Sequence, residues 1–120
     1  MATNYLQKGD VLDYTAGADI SSGDAVVIGG LIGVALTDIA NGDTGSVQIT
    51  GVFDMPKVSG AVIAQGESLT WDVSAGAFDD NAATAATGDL TGACAVAAEA
   101  AGDGVTTIAV RLTGVPGTVN

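Results

Sequence analysis

The 120-residue chain is long enough for one domain with one hydrophobic core, and its charge already excludes several kinds of partner. Fourteen acidic residues stand against three basic ones, a net charge of −11. This argues against nucleic acid and anionic membrane surfaces, because both attract proteins through Lys and Arg. Only 14% of the residues are charged and 48% are apolar, which favours a component of an oligomer or assembly.

The N-terminal residues 1–8 show no hydrophobic period and precede a Gly-Asp turn pair. This predicts a flexible N-terminal arm over residues 1–8, followed by one domain over residues 9–120. The arm lacks the apolar region of a signal peptide, and the longest apolar run, residues 25–36, is too short to span a bilayer. Strands are predicted over residues 11–15 and 25–28, where β-branched and aromatic residues are bounded by turn signals.

The strongest pattern in the chain is a predicted β-hairpin over residues 33–52. An apolar segment runs into Asn41-Gly42, after which Val47 and Ile49 alternate with polar residues, as expected for a strand with one buried face. Asn-Gly is the strongest short hairpin signal, because a type I′ turn needs positive φ at both central residues. We therefore predict that turn here.

A second copy of this pattern is predicted further along the chain. Residues 63–67 repeat the I-x-x-G-D/E pattern of residues 20–24, and alternating apolar residues return near the C-terminus. The two halves of this pseudo-repeat are residues 20–52 and residues 63–115. Residues 93–101 favour a helix by composition, but the repeat predicts a strand in their first half. About nine short strands separated by turns indicate an all-β fold, a small β-barrel or sandwich.

The residues that most catalysis needs are absent from the sequence. There is no histidine, Cys94 is the single cysteine, and no G-x-x-x-x-G-K-S/T loop occurs. This excludes Ser-His-Asp and Cys-His catalysis, zinc sites with His ligands, a phosphate loop and an intrachain disulfide. Asp79 and Asp80 could join Asp72 or Asp89 around calcium, but they lack the D-x-D-x-D-G spacing, and a solvated loop is the preferred interpretation. We predict no enzyme, no cofactor and no metal.

The few aromatic residues divide into two groups. Trp71 and Phe53 lie in alternating strand segments and are predicted to belong to the core, and Cys94 is expected to be a small buried hydrophobe. Tyr5 lies in the predicted arm, where little else could pack around it. It is a candidate anchor on a partner, because buried aromatic residues dominate interface energetics.

A series of short motifs across residues 9–113 carries a family resemblance. These motifs are Gly9-Asp10, Asp13-Tyr14-Thr15, Ile20, Gly23-Asp24, Val26-Val27, Gly33-Val34-Ala35, Gly42, Gly45, Gly51-Val52-Phe53, Pro56-Lys57, Gln65-Gly66, Trp71-Asp72 and Val110-Arg111-Leu112. In this order and spacing the chain resembles the small, acidic, Gly/Ala-rich capsid decoration or cement proteins of tailed bacteriophages. Some members carry a "predicted recombinase" label, which the missing phosphate loop puts in doubt.

The resemblance implies a β-barrel that forms a homotrimer, binds the major capsid protein on the outer surface of the virion and stabilises the expanded shell. The protein would be made in the cytoplasm of the bacterial host. An outer position also agrees with the charge, because the phosphate inside the shell would repel this chain. The arm residues predicted to contact the capsid or a neighbouring subunit are Ala2, Thr3, Asn4, Tyr5, Leu6, Gln7 and Lys8.

Two other functions fit the same sequence. One is another structural β-module of the virion, in the tail or associated with the head. The other is a carbohydrate-binding β-module, which should present an exposed aromatic platform.

Overall fold

A computed structural model describes residues 9–120, and its fold is built from β-strands. Within this range there are eleven strands and no helix. The strands are β1 (Val11–Thr15), β2 (Ala25–Ile28), β3 (Leu31–Ala35), β4 (Thr44–Gln48), β5 (Thr50–Pro56), β6 (Thr70–Asp72), β7 (Ala77–Asp79), β8 (Leu90–Thr91), β9 (Ala95–Ala97), β10 (Thr107–Thr113) and β11 (Thr118–Val119). The all-β prediction is confirmed, and two of the strands beyond the nine expected, β8 and β11, have only two residues each.

The strands form three antiparallel sheets. Their strand orders are β1-β4-β3-β2 in the first sheet, β5-β10-β9 in the second and β11-β8-β6-β7 in the third. Across residues 9–120 no sheet closes on itself, so no closed barrel forms and the sandwich is the better description. The strand predicted early in residues 93–101 is β9, which therefore forms in spite of its helix-prone composition.

The three sheets share one hydrophobic core. Ile32 from the first sheet, Val110 from the second and Phe78 from the third are buried in the same cluster. Trp71 is buried there too, and Phe53 packs against the cluster, as predicted. Because all three sheets bury apolar surface in this cluster, its burial stabilises their packing against one another.

A smaller cluster covers the opposite face of the first sheet. It is built around Val47 and Ile49, the alternating pair identified in the sequence, together with Ala35 and Ile39. The first sheet is therefore packed on both faces, which is why β3 is apolar along its whole length rather than alternating.

The central hairpin exists as β3 and β4, but its turn differs from the prediction. Gly42 has a φ of 87°, whereas no non-glycine residue in residues 9–120 has a positive φ, so Asn41-Gly42 is not a type I′ turn. The Asn41 N–H donates to Asp19 Oδ1 at 2.9 Å, and the Gly42 N–H donates to the carbonyl of Ala16 at 2.8 Å. The predicted turn type is wrong, because these long-range hydrogen bonds hold residues 36–43 in a longer connection.

A set of hydrogen bonds around residues 20–24 has a counterpart around residues 63–67. In both places the leading isoleucine exchanges two backbone hydrogen bonds with a distant partner, and a glycine with positive φ donates to the strand that follows. The corresponding hydrogen-bonded pairs are Ile20–Ile39 and Ile63–Ala101, Gly23–Ala35 and Gly66–Ala97, and Asp24–Ala35 and Glu67–Ala97. The donor-to-acceptor distance of each hydrogen bond in the second set differs from that of its counterpart by at most a few tenths of an ångström.

Candidate interaction surface

The acidic side chains of the third sheet accept hydrogen bonds from its own turns. Asp72 Oδ1 accepts from Ser74 Oγ at 2.8 Å and from the N–H groups of Ser74 and Ala75, both at 3.1 Å. The Ser74 hydroxyl is the largest cause of a lowered pKa for the Asp72 carboxyl, and the Ala75 N–H adds to it. Asp72 thus closes the turn between β6 and β7.

Asp89 and Asp80 have comparable roles in the neighbouring loops. Asp89 is buried and accepts from the N–H groups of Val73 at 3.1 Å and Ala86 at 2.9 Å. Asp80 accepts from the N–H of Ala82 at 3.0 Å. In residues 9–120, no group of three or more Asp, Glu, Cys or His side chains is arranged to hold a metal ion. The carboxylates considered for calcium stabilise loops instead.

Lys57, which the sequence analysis noted only as part of the Pro56-Lys57 motif, is a buried cation with 4% of its surface exposed. Its Nζ donates to the carbonyls of Val58 at 2.8 Å, Gly102 at 3.0 Å and Val105 at 3.1 Å, with Ser59 at 3.4 Å. The ammonium group therefore joins the end of β5 to the turn before β10. Nothing local in the sequence signals this, because the acceptors are backbone atoms, two of them more than 40 residues away.

Trp71 borders a surface cavity in the described part of the chain. The cavity has a volume of about 240 Å³ and is lined by Trp71, Asp24, Pro56 and three small residues. Only 8% of Trp71 is exposed, because its ring packs edge-on against Phe78 with centroids 4.9 Å apart. None of the aromatic side chains in residues 9–120 is exposed. The platform expected of a carbohydrate-binding module is therefore missing from this part of the chain.

The outward face of the second sheet carries exposed apolar side chains beside charged ones. Val52 on β5 lies opposite Arg111 on β10, which in turn lies opposite Val96 on β9. Val52 is 59% exposed, Arg111 is exposed and Val96 is half-buried. We call these three residues the Val-Arg-Val row. The sequence suggests the outward position of Arg111, since its neighbours Val110 and Leu112 point inward, but not which valines flank it.

The arm residues predicted to make contacts, from Ala2 to Lys8, lie outside the described residues 9–120. Their role stays a prediction. No helix between residues 9 and 120 is long and apolar enough to cross a membrane.

Taken together, these features define a class of protein. The polar side chains of the third sheet close turns, the one cation of the second sheet's outward face lies between valines, and the core is continuous across three sheets. This is an all-β module with an exposed strand surface of mixed apolar and charged residues.

Comparison with known families identifies the module further. A family profile described as "Phage cement protein" matches residues 6–112. The chain belongs to the phage cement protein family, which is a structural family, and this confirms the resemblance seen in the sequence. Membership supports a role in decorating the phage capsid and association with the virion. A search among curated proteins returns no match.

Proposed function

We propose that the protein binds the outer surface of a phage capsid as a homotrimer, contacts the major capsid protein and stabilises the expanded shell. The match of residues 6–112 to the phage cement protein family is the observation that carries this proposal. The absence of histidine from the sequence, together with the turn-closing role of Asp72 and Asp89, supports a structural rather than a catalytic role.

The charge supports the outer side of the shell. All 14 acidic residues fall within residues 9–120, where Lys57 is buried and Arg111 is exposed. Packaged DNA would repel such a surface within a Debye length of about 8–10 Å. The outer surface avoids that repulsion. Synthesis in the host cytoplasm agrees with a buried, unpaired Cys94, since a reducing compartment keeps thiols free.

The mechanism we propose is mass action combined with bridging. A protein that binds only the expanded lattice stabilises it by RT ln(1 + [L]/Kd), about 2.7 kcal/mol per site at a hundredfold excess over Kd. A trimer that contacts several capsid subunits gains more, because the second and third contacts form at a high effective concentration. The protein therefore acts by holding neighbouring capsid subunits in the expanded arrangement.

We also propose that the arm and the domain have different roles. Residues 9–120 act as one domain, supported by the core that its three sheets share. The arm, residues 1–8, contributes contacts to the capsid or to a neighbouring subunit through residues 2–8. Residues 20–52 and 63–115 are two copies of one β-motif, supported by their corresponding hydrogen bonds.

Binding to heads tests the proposed function. Purified protein is mixed with expanded heads and with unexpanded procapsids, and both are sedimented. We expect co-sedimentation with expanded heads only, a higher temperature of DNA release from decorated heads, and density on the outer surface by electron microscopy. Binding to tails, or no binding to expanded heads, contradicts the proposal and favours another virion module.

Deleting residues 2–8 tests the arm separately. We expect the truncated protein to remain a folded trimer, shown by circular dichroism and light scattering, while losing co-sedimentation with heads. The full-length protein is the control. Full affinity after truncation would remove the arm from the proposal and leave the rest of it standing.

A further inference from the structure

The cavity beside Trp71 lies where the three sheets meet. Asp24 directly precedes β2 of the first sheet, Pro56 ends β5 of the second, and Trp71 lies on β6 of the third. The cavity volume of about 240 Å³ is below the roughly 300–1,000 Å³ of pockets that enclose a whole small molecule. The cavity therefore suits the end of one long side chain.

The lining of this cavity accepts hydrogen bonds but has few left to donate. Pro56 has no N–H, and three other lining residues already donate their N–H groups to carbonyls of the chain. The donors are Gly23, Asp24 and Gly76, and their acceptors are Ala35, Ser21 and Asp72. Among the lining residues, the carboxylate of Asp24 is the one charged side chain. An occupant that donates hydrogen bonds and carries positive charge is therefore favoured over an anion.

Asp24 has a counterpart in the second half of the fold, Glu67. Both carboxylates close the I-x-x-G-D/E turn with one oxygen. Asp24 Oδ2 accepts from the N–H of Ser21 at 3.0 Å. Glu67 Oε1 accepts from the N–H of Ala64 at 3.2 Å. The second oxygens differ, because Glu67 Oε2 accepts from the N–H of Asn81 at 2.9 Å, whereas Asp24 Oδ1 accepts no hydrogen bond from the described part of the chain.

The donor to Glu67 comes from a segment that has no equivalent in the first half. There, β2 is followed after two residues by its partner strand β3. In the second half, residues 73–94 separate β6 from β9, and Asn81 lies among them. The two-residue connection of the first half supplies no such donor, so Asp24 Oδ1 is left open to a donor from another molecule.

The described part of the chain has no free cation to place in this cavity. The positively charged side chains of residues 9–120 are Lys57 and Arg111. The Lys57 ammonium group is buried against four backbone carbonyls. Arg111, in the Val-Arg-Val row, lies opposite Val52, which is four residues or about 13 Å along β5 from Pro56. The 14 acidic residues of the chain attract a cation from outside instead.

We propose that this cavity receives a basic side chain, lysine or arginine, of the major capsid protein, with its charged end on Asp24 Oδ1. The apolar stem of such a side chain packs along Pro56 and Trp71, because Lys and Arg bury their methylene stems on apolar surfaces while the charged end stays polar. This inference rests on the proposed function. It names a site by which the domain itself, separately from the arm, holds the capsid.

Asp24→Asn tests the site in the full-length protein. The amide removes the negative charge, but its oxygen can still accept from the N–H of Ser21, so the turn is kept. Glu67→Gln is the matched control, because it makes the same change at the corresponding turn and Glu67 does not line the cavity. Circular dichroism with thermal unfolding shows that both variants fold.

Co-sedimentation with expanded heads over a range of protein concentrations measures the effect. We expect the Kd to rise about tenfold for Asp24→Asn and to stay unchanged for Glu67→Gln. The effect of Asp24→Asn should shrink at high salt, because salt screens the interaction of exposed charges. Equal head binding by the two variants overturns the inference. A lower oligomeric mass of Asp24→Asn alone, measured by light scattering, also overturns it, since the cavity would then serve contacts between copies.

A second measurement does not need heads. Trp71 is the single tryptophan of the chain, so its fluorescence reports on the cavity directly. Wild type and both variants are titrated with N-acetyl-arginine amide, and with N-acetyl-citrulline amide as its neutral counterpart. We expect a saturable change with the arginine compound for wild type and Glu67→Gln only. Equal responses to the two compounds, or equal responses of wild type and Asp24→Asn, overturn the inference.

The two measurements separate this inference from the proposed function. A wild type that binds the arginine compound through Asp24 but binds no heads would support the site for a basic side chain and refute the decoration of heads. A wild type that binds heads, with Asp24→Asn unchanged in both measurements, would refute the site while the proposed function stands.

Discussion

Replacing Lys57 by methionine tests whether the buried ammonium group stabilises the junction between the end of β5 and the turn before β10. Methionine keeps a flexible apolar side chain of similar length but removes the positive charge and all three N–H donors. The carbonyls of Val58, Gly102 and Val105 then lose their hydrogen bonds of 2.8, 3.0 and 3.1 Å. The substitution therefore separates the polar role of Lys57 from its packing.

The change in the free energy of unfolding follows from two opposing contributions of the Lys57 ammonium group. Hydrogen bonds to a charged donor contribute about 1.5–3 kcal/mol each, but burying the ammonium group costs several kcal/mol in lost hydration. Gly102 and Val105 lie in an exposed turn, so water can replace part of what their carbonyls lose. We expect the free energy of unfolding to fall by about 2–3 kcal/mol, and the Tm by about 6–12 °C.

Urea and thermal unfolding followed by circular dichroism measure this change. Each series is run at two protein concentrations, because self-association also raises apparent stability. Lys8→Met is the matched control, since it removes the same charge from a residue outside the described fold, and we expect it to stay within about 0.5 kcal/mol of wild type. A Lys57→Met variant as stable as that control would refute the role given to the buried cation.

Three further predictions concern the C-terminal segment and the turns. Gly117→Ala should lower the free energy of unfolding by about 1–3 kcal/mol, because an added Cβ would lie 2.3 Å from the carbonyl oxygen of Thr91 and 2.9 Å from Cys94 Sγ; urea unfolding indistinguishable from wild type would contradict this packing. The Cys94 thiol should react with a thiol reagent in the native protein far more slowly than in urea, because it is buried and burial raises its pKa; equal rates would show that the site opens freely. The Asp72→Asn variant should be less stable than wild type at pH 7 and equally stable in acid. The pKa of the Asp72 carboxyl is lowered in the folded state, so its stabilising effect is present above the unfolded pKa of 3.8 and is lost as the pH falls through the folded pKa. A difference in stability between the two proteins that persists at pH 2 would refute the role of the charged carboxylate.

Local patterns in the sequence predicted those features of the structure that depend on residues close together in the chain. The alternation of Val47 and Ile49 correctly predicted that both side chains are buried, but the strand that carries it ends at Gln48, and Ile49 lies between β4 and β5. The strand in the alanine-rich segment at β9 was predicted from its likeness to the first half, against its helix propensity. That prediction is confirmed, because pairing of Val96 and its neighbours with β10 outweighs intrinsic preference.

Features that depend on distant residues could not be predicted in the same way. The Asn41-Gly42 pair carries a strong type I′ signal, yet contacts with Ala16 and Asp19 decide its conformation. Lys57 reads as an ordinary surface charge until the turn at residues 102–105 closes over it. In both cases the deciding partners are separated along the chain and meet only when the sheets pack.

The sequence by itself determined that this is an acidic all-β protein without a catalytic histidine and with the motifs of the phage cement family, because composition and two-residue alternation are local properties. Tertiary structure alone decided which face of each sheet is covered. Val34 on β3 and Val52 on β5 are both valines in strand segments, but Val34 lies in the shared core and Val52 is 59% exposed. The difference arises because burial depends on what packs against a strand, and those partners come from other parts of the chain.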